Sequence, residues 1–92
     1  MKALDNDHLN IATTLSNIAG VYLETRKYSE AIKKFERCLG IQMKALGNDH
    51  PDIADTLSNI GRVYLEMGKY EEALKKFKSA LIIYHKLPAF NS

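Results

Sequence analysis

The sequence predicts an all-α fold: two tandem helical hairpins, four antiparallel helices in all, stacked as a short α-solenoid. Two observations lead there. Residues 1–42 lie over residues 43–84 without a gap, so that "MKALDNDH" returns as "MKALGNDH" and "TLSNIAGVYLE" as "TLSNIGRVYLE". An internal period of this length marks units that cannot bury their apolar faces alone and stack on one another. The second observation is that the apolar spacing inside each copy is helical.

In the first helix of the first copy, Ile11, Leu15, Ile18, Ala19 and Tyr22 follow the i, i+4, i+7, i+8, i+11 pattern that places them on one face. Ile53, Leu57, Ile60, Gly61 and Tyr64 repeat it in the second copy. The second helix of the hairpin carries Tyr28, Ala31, Ile32, Phe35, Cys38, Leu39 and Gln42 at core spacing, matched by Tyr70, Ala73, Leu74, Phe77, Ala80, Leu81 and Tyr84. A single domain over residues 1–92 is expected, with repeats at 8–46 and 50–87 and a tail at 88–92. "MKAL" at residues 1–4 then corresponds to the end of an outer helix, with Asp7 and His8 at the cap of the first inner one.

The boundaries have chemical signals of their own. Asp49 and His50 stand where a helix cap is needed, Pro51 suits a first turn because its missing N–H costs nothing there, and Asp52 faces the positive end of the helix dipole. Gly68 sits between the paired helices, where a left-handed residue lets the chain reverse. The first copy has Arg26 at that place and Leu9 in place of Pro51, so its signals are weaker. Pro88 is placed to end the last helix.

Composition narrows the function classes. A formal charge of +2, from 13 basic and 11 acidic residues, gives no footprint of a nucleic-acid or membrane-surface binder. The outer helices do carry a basic strip, Lys33, Lys34, Arg37 and Lys44 with Lys75, Lys76, Lys78 and Lys86, but Glu30, Glu36, Glu71 and Glu72 offset it. A solvated face is the better account. Cys38 is alone and reads as a small core residue, which with the lack of a secretory leader pattern points to a reducing, cytoplasmic setting. No apolar run approaches the roughly 20 residues that cross a bilayer, so no membrane role is expected.

The stretch "LSNIGRVYLEMGKYEEALKKFKSAL" resembles a tetratricopeptide repeat. Leu57, Ile60, Gly61, Tyr64, Gly68 and Tyr70, followed by Ala73, Phe77, Ala80 and Leu81, fall at that family's signature spacing. The first copy satisfies it with Leu15, Ile18, Ala19 and Tyr22, then Tyr28, Ala31, Phe35, Cys38 and Leu39. The common repeat has 34 residues; the additional length is read as about two further turns on the second helix, through "GIQMKALG". The longer period together with "ALGNDHPDIADTLSNIG" is similar to the subclass found in kinesin light chains.

The resemblance implies a non-catalytic protein-interaction module with no cofactor, binding a peptide or partner protein in the concave groove of the inner helices. The groove positions would be Thr13, Ser16, Asn17, Gly20, Leu23 and Glu24 from the first copy. Asp55, Ser58, Asn59, Arg62, Leu65 and Glu66 are their counterparts. Asn17 and Asn59 can both donate to and accept from a ligand backbone. Only Arg62 supplies a cation along the two stripes, so a carboxylate clamp of the kind some relatives use is not expected.

Nothing in the sequence builds an enzyme: His8 and His50 are periodic with the scaffold, which favours capping over metal ligation, and no nucleophile, base and orienter set is present. The last helix is more apolar than its partner, through Leu81, Ile82, Ile83, Tyr84 and Leu87. Such a patch marks an association site, so a homo-oligomer, a dimer in the first instance, is expected. The alternative to groove binding is an assembly element whose main partner is another copy of itself.

Overall fold

The computed structural model describes the backbone of residues 2–88 and the side chains of residues 8–88; residues 89–92, most of the expected tail, lie outside them. Four helices follow in order, α1 (Lys2–Glu24), α2 (Tyr28–Leu46), α3 (Pro51–Glu66) and α4 (Tyr70–Lys86). The packed pairs are α1 with α2, α3 with α4, and α2 with α3. Two hairpins thus stack through their middle helices, as the repeat requires.

The junction between hairpins forms as its residues dictate. Pro51 opens α3, and the Nδ1 of His50 accepts a hydrogen bond from the Asp52 N–H at 3.0 Å, which caps the helix. Upstream, α2 runs on to Leu46 and stops at Gly47, whose φ of 85° suits glycine alone and whose N–H returns to the Met43 carbonyl. The additional turns therefore lie on α2.

The corresponding place in the first copy behaves differently. α1 is continuous from Lys2, so "KAL" belongs to the same helix as the inner stripe and is not the end of an outer helix, and His8 is an exposed mid-helix residue rather than a cap. The cause is in the substitutions: Asp5 stands where Gly47 breaks the second copy, and Leu9 where Pro51 starts it. Neither residue interrupts a helix.

The two hairpin turns have the same geometry from unequal residues. Lys27 N–H bonds the Tyr22 carbonyl at 2.7 Å and Lys69 N–H the Tyr64 carbonyl at 2.8 Å. The reversing residue is Gly68 at φ 80° in one and Arg26 at φ 65° in the other. α4 ends at Lys86, just before Pro88.

The core is assembled around α3. Ala19, Ala31, Phe35, Ile60 and Val63 form one cluster that joins three helices. Ile53, Ala54, Ala80 and Ile83 form a second, and Ala12, Leu15 and Cys38 a third. Gly61 is required by its neighbour, since a Cβ there would stand 2.9 Å from the Phe77 ring. Several expected core residues are instead exposed: Ile11 and Ile18 on α1, and Tyr70, Leu74, Leu81 and Tyr84 on α4. Their faces point away from the α2–α3 junction, where no other described helix packs.

Candidate functional site

The residues that face one another across α1 and α3 are mostly polar. Thr13, Ser16 and Asn17 from α1 and Asp55 and Asn59 from α3 line one cavity of about 320 Å³, with Gln42, Asp52 and Thr56 completing it. A second cavity, of about 230 Å³, lies toward the hairpin turns and brings together Leu23, Glu24, Arg62 and Glu66 with Arg26 and Tyr28. Nine of the groove positions expected from the sequence are therefore gathered into two adjoining depressions. Gly20, Ser58 and Leu65 lie on the same two helices outside those two cavities, Leu65 exposed.

The walls of the first cavity are anchored by a polar knot at the hairpin junction. Thr56, buried on α3, holds its hydroxyl 2.6 Å from Gln42 Oε1 and 3.1 Å from the Asp52 carbonyl oxygen. The Cys38 Sγ lies 3.8 Å from the same Thr56 Oγ1, within hydrogen-bond reach of sulfur. Burial pushes the Cys38 thiol up, the Thr56 contact opposes this, and the Asp52 carboxylate adds to it. Cys38 is thus a structural residue, with its sulfur neutral and enclosed.

Asp55 is held from the other side. The Tyr84 hydroxyl on α4 donates to Asp55 Oδ1, which fixes the carboxylate at the rim. That hydrogen bond is the main reason the phenol is pushed up to about 12, with burial and the Asp55 charge adding. Tyr84 is therefore both half-exposed and tied to the groove, whereas the sequence placed it at a core position and in a self-association patch. In that patch Leu81 and Ile82 are exposed, Leu87 is half-buried, and Ile83 packs in the core beside Ile53 and Ala80.

The two asparagines differ from their surroundings. Among the described residues neither the Asn17 nor the Asn59 side chain forms a hydrogen bond within the protein, so neither is spent on tying the inner helices together. Sequence reasoning missed Gln42, Asp52 and Thr56 as groove residues. The spacing of Asp52, Thr56 and Asn59, at i, i+4 and i+7, was the available signal.

The tetratricopeptide-repeat family model matches residues 2–86. The chain is a tetratricopeptide-repeat protein. No curated protein resembles the chain closely enough to count as a relative. Tetratricopeptide repeats mediate protein–protein interaction and are typically non-catalytic scaffolds. In this repeat protein no helix among the described residues is long and apolar enough to cross a membrane.

Proposed function

We propose that this repeat protein is a non-catalytic module that binds a peptide or partner protein along the groove between α1 and α3. The observation that carries the reading is the pair of uncommitted amides, Asn17 and Asn59, lining one cavity at matching positions of the two repeats. An amide can satisfy both a donor and an acceptor of an extended backbone, and two of them one repeat apart fix its direction. Arg62 in the second depression supplies a cation for an acidic or carbonyl group of the same ligand. The repeat belongs, in this reading, with the long type found in kinesin light chains, which the extension of α2 to Leu46 supports.

The test is selection from a randomised peptide library, followed by titration of the selected peptides. Asn59→Ala and Arg62→Ala are each expected to weaken binding about tenfold, the size of one lost hydrogen bond to a charged or buried group. Selected peptides that bind both variants as tightly as the parent chain would overturn the groove.

A second reading, self-association, is favoured by the exposed apolar residues Leu81 and Ile82 on α4. In that reading the chain's main partner is a second copy of itself.

A further inference from the structure

The exposed apolar residues of this protein lie on two separate faces, and the internal repeat relates them. At the junction between hairpins, Ile32 and Leu39 of α2 pack against the clusters that hold Ile53, Ile60 and Val63 of α3. Moving each side of that junction by one repeat gives residues of the same kind with nothing described on top of them. Leu74 and Leu81 on α4 correspond to Ile32 and Leu39, and both are about half exposed. Ile11, Ile18 and Val21 on α1 are identical to Ile53, Ile60 and Val63, and all three are exposed.

One end of the molecule is thus a second version of the donor side of the α2–α3 junction, and the other end a second version of its acceptor side. Resting on the self-association reading above, we infer that copies of this chain join head to tail, α4 of one on α1 of the next, in the register of the internal junction. Leu74 then lies over Ile18 and Val21. Leu81 lies over Ile11, at a cavity of about 480 Å³ lined by Ile11, Ile41 and Ala45 together with His8, Arg37 and Lys44. Tyr84, the counterpart of Gln42, comes opposite Thr14, the counterpart of Thr56.

This contact is heterologous: each copy uses a different face on its two sides, so every addition leaves both faces available again. A two-fold dimer through α4 alone would leave the α1 face uncovered. The head-to-tail arrangement covers both with the packing the chain already uses internally.

The experiment uses the 92-residue chain and two variants, Val21→Glu and Leu81→Glu, in sedimentation velocity over a concentration series. Val21 is 60% and Leu81 54% exposed, so neither charge enters the core, and helical circular dichroism verifies that each variant folds. The parent chain is expected to gain mass with concentration past a dimer, and each variant alone to stay monomeric. Mixing the two is expected to restore a 1:1 complex, because Val21→Glu keeps a working α4 and Leu81→Glu a working α1. If Val21→Glu still dimerises alone, copies pair through α4, which overturns the head-to-tail register and keeps self-association. A mixture that stays monomeric overturns the register as well. A parent chain that is monomeric throughout overturns both.

Discussion

α1 and α3 carry the same apolar side chains in the same spacing and put them in opposite surroundings. Ile53, Ile60 and Val63 are 1%, 0% and 0% exposed, against 44%, 38% and 60% for Ile11, Ile18 and Val21. Among the described residues α3 has a helix on either side, α2 and α4, whereas α1 packs chiefly against α2. In a stacked array, burial is a property of a place in the stack, and the residue only makes that place usable.

The comparison can be broken most forcefully at Ile60 and Ile18. Ile60→Ala removes side-chain atoms from a filled interior and is expected to cost about 3 kcal/mol, whereas Ile18→Ala at dilute, monomeric concentration should cost under about 1 kcal/mol. Urea melts of the two variants beside the parent read the difference directly, and equal losses would mean that α1 is packed as tightly as α3. The turns offer a smaller contrast of opposite sign. Arg26→Gly places at φ 65° the residue already used at Gly68, so it is expected to stabilise by about 0.5–1 kcal/mol in the same melts. A loss of stability there would show that the arginine side chain holds the turn.

The smallest expected effect lies where Tyr84 replaces Gln42. With its folded pKa raised to about 12, from an ordinary 10, the Tyr84 phenol stabilises the fold fully below pH 10, and that contribution disappears as the pH climbs toward 12. Both groups are exposed, so the slope will be shallow. Tyr84→Phe should flatten the alkaline limb of a stability-against-pH curve; an unchanged limb would place its origin elsewhere.

The hairpins, their order and the lengthened α2 were legible because a 42-residue self-overlap and helical spacing report connectivity directly. The stripe through Ile53, Leu57, Ile60, Gly61 and Tyr64 was legible for the same reason. Ala54, Thr56 and Val63 were not, although each is buried. A helix between two neighbours buries a wider arc than one stripe, and periodicity reveals which residues share a face without revealing what covers it. Ile11 and Ile18 show the converse: they lie on the correct stripe, at the edge that α2 does not cover. At the groove the stripe positions on α1 and α3 were readable by spacing, while Gln42 was taken for a core position. It packs at the edge of the core with its amide oxygen bonded to Thr56, a role that depends on where α2 crosses α3.

Cys38 gives the crossing of α2 and α3 a further property. Its thiol is fully enclosed beneath Thr56 and rendered less acidic by burial. Since the thiolate is the reactive form, both enclosure and the raised pKa slow attack on a disulfide reagent. The sulfur reacts only when the packing of α1 or α3 against α2 opens around it. A single atom in this chain is therefore a stopwatch for the breathing of the helices packed on α2, running at the frequency with which they let go of it.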